Sequence, residues 1–212
     1  LCCSSAKNSE QNPAGVIFFE NFESKEPFKR AYNLEIGKWD YALQYVSNPV
    51  FEGKKAARFE IRHDEPLVKK SKRAEVTIIK GIPGKEMWYS FTVFFPEVGF
   101  EIDSAREIIN QWYQEGSPAT SLRVRNDQIY LETGPNPSDR EQFIVCTATK
   151  NTWHQFVLHF VHDHGSNGLI EVWHDNKKVI THHGGNMYDD VLPKWKIGIY
   201  KAAFKFGTSS RT

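Results

Sequence analysis

Short runs of alternating apolar and polar side chains recur along most of the chain, separated by tight-turn residues. The run Trp195-Lys196-Ile197-Gly198-Ile199-Tyr200 has the period of two of a strand with one dry face and one wet face. On that period Ile197 and Ile199 point into a core, while Lys196 and Tyr200 share the opposite face with Gly198 between them. Lys72-Arg73-Ala74-Glu75-Val76 and Asn110-Gln111-Trp112-Tyr113 are built the same way, with Trp112 turned to the core. Strands are expected at 15–19, 39–43, 57–62, 74–79, 87–95, 107–113, 121–124, 128–132, 142–146, 153–161, 169–173 and 195–200. Turn signals stand between them, among them Gly81-Ile82-Pro83-Gly84, Asn126-Asp127, Gly134-Pro135-Asn136-Pro137 and Asp175-Asn176. Continuous apolar stretches at 91–95 and 156–160 predict central strands covered on both faces, and only 99–109 has room for a short helix. About a dozen strands joined by tight turns predict an all-β fold, an antiparallel β-jelly roll or sandwich.

Length changes the picture little: 212 residues suit one β-sandwich domain, expected over 16–212 after a polar leader at 1–15. The leader opens Leu1-Cys2-Cys3-Ser4-Ser5. It reads either as a lipoprotein tether with a lipidated cysteine or as a plain disordered tail. The remaining cysteine, Cys146, falls in an expected strand, where it behaves as a small hydrophobe, so no structural disulfide is expected. With 27 Lys+Arg against 26 Asp+Glu, no global field draws the protein to nucleic acid, and an anion site must be local. No apolar run approaches the ~18 residues that span a bilayer. Aromatic residues make up 14% of the chain, which leaves rings to stack on sugar faces. A monomer, exported from the cytoplasm, is the expected form.

The three alternating strands put Arg73, Glu75, Gln111, Tyr113, Lys196 and Tyr200 on one polar face. In order and spacing they resemble the three signature strands of jelly-roll polysaccharide lyases of the alginate-lyase and glucuronan-lyase type, which carry Arg-x-Glu-Leu-like, Gln-x-His-like and Tyr-Phe-Lys-x-Gly-x-Tyr-like strands. The run Gly168-Leu169-Ile170-Glu171-Val172-Trp173-His174-Asp175, with Gly185-Asn186-Met187-Tyr188 after it, is similar to the glucuronan-lyase and heparin-lyase-I-like group. The resemblance covers most of residues 16–206. It implies a concanavalin A-like sandwich that cleaves an acidic, uronic-acid-containing polysaccharide by β-elimination, without cofactor or metal.

Elimination removes the hydrogen at C5 beside a carboxylate and expels the sugar oxygen at C4. The carboxylate must be neutralised as carbanion character develops, work suited to a guanidinium fork and an amide donor. The resemblance implies Arg73 and Gln111 for this, Glu75 to orient Arg73, and Tyr200 to move protons, with Lys196 placed to favour its ionised form. At the position of the family's histidine stands Tyr113, so either Tyr200 carries out both transfers or another base assists; His63, upstream of the Arg73 strand, is the nearest candidate. Lys196, Tyr113, Glu75 and His63 make up the expected substrate-binding set.

Blander readings stand beside these. Arg73 and Glu75 can be a surface ion pair of little worth, and the same face can serve a lectin-like binding module without turnover. A glycoside hydrolase would need paired acids; Glu101 and Asp103 superficially fit, but 105 and 106, where further acids would fall, are Ala and Arg. The histidines at 162, 164, 174, 182 and 183 invite a metal reading, yet they border turns and are expected to be solvated loop residues, with no metal ligands.

Overall fold

The computed structural model describes residues 15–114 and 116–207. The expected leader, apart from Gly15, and its two cysteines lie outside them. Among the described residues the strands are β1 (Asn33–Glu35), β2 (Leu43–Val46), β3 (Ala56–Phe59), β4 (Arg73–Ile79), β5 (Glu86–Phe94), β6 (Glu107–Gln114) and β7 (Ser117–Arg125). They continue with β8 (Gln128–Asn136), β9 (Asp139–Thr147), β10 (Trp153–Val161), β11 (Leu169–His174), β12 (Lys177–His183) and β13 (Lys194–Tyr200), followed by one short helix, α1 (Ala202–Phe206). A seven-stranded sheet runs β1-β4-β13-β6-β7-β8-β9, a four-stranded sheet runs β12-β11-β10-β5, and β2-β3 form a separate hairpin. Every pairing is antiparallel, the jelly-roll arrangement expected from the sequence.

Strand alternation builds the core. From the small sheet Phe156, Leu158, Phe160, Ile170 and Val172 are fully buried, and from the large one Val76, Trp112, Leu122, Ile129 and Leu131 meet them. The Trp112 ring lies 4.5 Å from Phe160 and 5.1 Å from Tyr89, so one indole ties the two sheets together. Truncating such a ring removes apolar burial and leaves a cavity, a loss of about 3–5 kcal/mol.

Register is set locally where turns are short. Asn126 and Asp127 both have positive φ, 50° and 59°, the mirror-image turn that suits the twist of a hairpin. That turn pairs Arg125 with Gln128 and, by counting back, Ser121 with Glu132. β13 is placed by a long-range step: the last strand inserts between β4 and β6.

Several expectations are corrected. Residues 15–19 form no strand, because the Glu20 carboxylate just beyond accepts hydrogen bonds from the backbone N–H groups of Phe22 (2.7 Å) and Phe28 (2.6 Å) and holds an irregular turn. No helix forms over 99–109; Asp103 accepts the N–H of Ala105 at 2.9 Å, a local bond that competes with a helix. β5 is an edge strand rather than a central one, and its 91–94 stretch is half-buried. Gly134-Pro135-Asn136 belongs to β8 instead of a turn. β1, β12 and α1 have no counterpart among the expected elements. The histidines are mostly not solvated loops: His162 is fully buried with Nε2 3.1 Å from the Tyr89 hydroxyl, and His182 and His183 lie in β12. Burial pushes the His162 imidazole down to about 3, so it is neutral in the fold.

Candidate active site

One rung of paired residues crosses the whole seven-stranded sheet on the face turned away from the core: Asn33, Thr77, Lys196, Gln111, Ser121, Glu132 and Gln142. Paired residues in antiparallel strands point to the same side, so seven polar side chains form a continuous line. Arg73 pairs with Tyr200, and Glu75 with both Glu35 and Gly198, alongside that line. Thus β4, β6 and β13 bring Arg73, Glu75, Gln111, Lys196 and Tyr200 onto one face, as the alternation predicts.

Gly198 is required here. Its φ is +125°, and a Cβ at this position would stand 2.2 Å from the Ala74 carbonyl oxygen and 2.8 Å from Glu75 Cα. It also lies inside the register shift between Ile197 and Tyr200 where β13 pairs with β6, an irregularity that re-aims Tyr200 at the end of the strand.

The carboxylates organise the cations. Glu75 Oε1 accepts the Gln111 amide N–H, which fixes the amide with its nitrogen toward Glu75, while Glu75 Oε2 stands 3.4 Å from Arg73 Nη1. Glu35 accepts Arg73 Nη1 at 2.7 Å and Lys196 Nζ at 2.9 Å. Burial alone would raise the Glu35 carboxyl, but Lys196 and Arg73 hold it down at about 2. Glu75 goes the other way: burial raises its carboxyl against the pull of Lys196 and Arg73. Arg73 Nε, on the edge away from these acids, is buried with no acceptor among the described residues. The Arg73 guanidinium carbon lies 5.0 Å from the Tyr200 ring centroid, so the guanidinium and the phenol are neighbours.

Tyr113 is half-buried, with Lys196 Nζ 4.8 Å from its ring centroid, and its hydroxyl accepts the Gly116 N–H at 3.2 Å. The ammonium of Lys196 is engaged by Glu35, so its charge is shared with that acid before it reaches any phenol. The loop of His63 is held beside the Arg73–Tyr200 rung by Lys72, whose Nζ donates to the His63 carbonyl at 2.7 Å and whose own carbonyl accepts the Lys201 N–H at 3.1 Å. The exposed imidazole, however, rests edge-on against Phe204 of α1, a ring that packs on Ala74 and Ile199 from the core side of the sheet. The structure therefore gathers six of the seven expected residues and leaves His63 at the rim.

Residues that sequence reasoning missed extend the line. On its far side Glu132 is ringed by Arg123 (2.8 Å), Arg140 (3.1 Å) and Arg106 (3.2 Å) and accepts Gln142 Nε2 at 2.8 Å. Burial would raise the Glu132 carboxyl, but the surrounding guanidiniums and Gln142 hold it below the usual carboxylate range. Arg140 also donates to Tyr188 Oη and, at 2.6 Å, to Ser117 Oγ. The sequence carries a signal for part of this set, since the two-residue Asn126-Asp127 turn places Ser121 opposite Glu132 by counting. It carries none for Glu35, which sits in a three-residue strand.

Asp103, one of the two acids considered for hydrolysis, is committed elsewhere. Asp103 and Glu107 enclose the buried Lys201 ammonium, with Asp103 Oδ2 at 2.7 Å and Glu107 Oε1 at 2.5 Å. Among the described residues no helix is long and apolar enough to cross a membrane.

A family model described as polysaccharide lyase matches residues 22–212. No curated protein matches the chain in sequence. Among solved structures, an endo-β-1,4-glucuronan lyase from the fungus Trichoderma reesei superposes with a TM-score of 0.66 at 21% identity, covering 86% of this chain and 89% of that one. The receptor-binding domain of botulinum neurotoxin type G superposes with a TM-score of 0.51 at 6% identity, covering 80% of this chain and 38% of that one. At such identities the likeness shows the fold alone, and that fold serves more than one function.

Proposed function

Because the chain belongs to the polysaccharide lyase family, we propose that its polar rung binds a uronate polymer and that the Arg73–Tyr200 end cleaves it by β-elimination. The observation that carries this reading is the Arg73 guanidinium beside the Tyr200 ring, on the same face as the Gln111 amide. A uronate carboxylate accepts from the Arg73 guanidinium and from the Gln111 amide, donors aimed at the charge that grows as C5 loses its proton. Glu75 and Glu35 hold Arg73 and Gln111 in place.

Tyr200 takes the C5 proton and returns one to the leaving O4 oxygen. Neighbouring uronates along the chain lie over Arg106 and Arg140, the more exposed of the three guanidiniums that face Glu132. Such a substrate, an acidic polysaccharide, is met outside the cytoplasm, and export fits it.

Incubation with glucuronan, alginate, heparin and hyaluronan, followed by the ultraviolet absorbance of the unsaturated uronate product, tests the reading. A rise on at least one polymer is expected. New reducing ends without that absorbance would show hydrolysis instead, and binding with no change on any polymer would leave a lectin-like role.

A further inference from the structure

A second cluster lies away from the rung, where β9 of the large sheet meets β10 and β11 of the small one. Cys146, His154 and His174 each offer a ligand atom within 4.8 Å of the other two. Local structure turns them together. Along β9 Gln142 and Ile144 face outward, but the register shift between Ile129 and Tyr130 inserts one residue and brings Cys146 against the core. His154 is the second residue of β10 and His174 the last of β11.

The hydrogen bonds fix which nitrogen of His154 is bare. Its Nε2 lies 3.0 Å from the Thr149 carbonyl oxygen, which can only accept, so Nε2 carries the proton and Nδ1 presents a lone pair. That Nδ1 stands 3.0 Å from His174 Nε2. Two nitrogens on one tetrahedral zinc ion are ~3.3 Å apart when each bond is about 2.0–2.1 Å. Asp175 Oδ2 is 3.2 Å from the same His174 Nε2, while its Oδ1 accepts the Gln155 N–H at 2.9 Å, which holds the carboxylate in place. Asp175 is half exposed and gives the cluster a path to solvent.

We propose that Cys146 Sγ, His154 Nδ1 and His174 Nε2, with the Asp175 carboxylate beside His174 drawn in as the fourth ligand, form a binding site for a thiophilic divalent cation of the Zn2+ class, which pins the two sheets together at this end. Thiolate, two imidazoles and a carboxylate are a ligand set for tetrahedral Zn2+. On binding, the Cys146 thiol gives its proton to solvent, and His174 takes the tautomer with its proton on Nδ1. None of the four residues lies on the polar rung, so the site and the uronate reading stand or fall separately.

The full chain, stripped of metal, is titrated with Co2+ as a spectroscopic probe. One equivalent is expected to produce a thiolate-to-cobalt band in the near ultraviolet with intense visible bands of tetrahedral Co2+, and Zn2+ displaces both. Zn2+ at about a hundredfold excess over its Kd raises Tm by roughly 5–10 °C. Cys146→Ser abolishes the charge-transfer band, and His174→Gln, at a partly exposed position, weakens Co2+ binding at least about tenfold. Absence of the band in the unaltered protein overturns the proposal. So does a band that persists in Cys146→Ser, which would trace it to Cys2 or Cys3.

Discussion

The two ends of the polar rung are charged differently. At the Tyr200 end two carboxylates, Glu35 and Glu75, engage Arg73, Lys196 and the Gln111 amide. At the far end a single carboxylate, Glu132, is shared among three arginines. Nearly matched charge fixes a few donors in set positions, as chemistry at one carbon requires. Surplus positive charge holds a polyanion with less demand on position. The difference assigns the first end to catalysis and the second to grip.

The largest effects are expected at the Tyr200 end. Tyr200→Phe removes the proton carrier and lowers kcat by about 100- to 10 000-fold with little change in binding, measured by the rate of unsaturated product formation. Unchanged kcat would assign the proton transfers to another group. Gln111→Ala removes one donor to the developing charge and lowers kcat about 100- to 1000-fold.

Acid stability separates the two carboxylates of that end. Glu35 is held at about 2, below its ordinary 4.5, so its stabilising effect is complete above about pH 4.5 and is lost as pH falls toward 2. Glu35→Gln is therefore expected to cost on the order of 2 kcal/mol near neutral pH, and the gap from the unaltered protein closes through that acid window. A gap that stays constant with pH in urea unfolding would contradict the pairing with Lys196 and Arg73.

The smallest effect belongs to the far end. Arg140→Ala is expected to raise KM about tenfold, ~1.4 kcal/mol of binding, with kcat near its original value. The same variant should show a shallower loss of affinity with added salt, since it has lost one screened contact. A fall in kcat comparable to that of Gln111→Ala would erase the distinction between the ends.

Much of the Tyr200 end was legible in the sequence, because strand alternation alone decides that Arg73, Glu75, Gln111, Lys196 and Tyr200 face away from Ala74, Trp112, Ile197 and Ile199. The order of strands was not, since β13 reaches its place between β4 and β6 by a long-range insertion. Glu35 escaped notice because three residues are too few to show a period. β12 could have been found: Val179-Ile180-Thr181 follows Asp175-Asn176, whose φ values of 48° and 65° make the same hairpin turn as Asn126-Asp127. The cluster of Cys146, His154 and His174 was hidden by a bulge in β9, which reverses the side that simple alternation assigns to the cysteine.

The most direct measurement is a crystal structure of the Tyr200→Phe protein with an oligosaccharide of the polymer it cleaves. One uronate carboxylate should accept from the Arg73 guanidinium and the Gln111 amide, with its C5 hydrogen facing the ring at position 200. A carboxylate bound only among Arg106, Arg123 and Arg140, with no sugar at Arg73, would contradict the account.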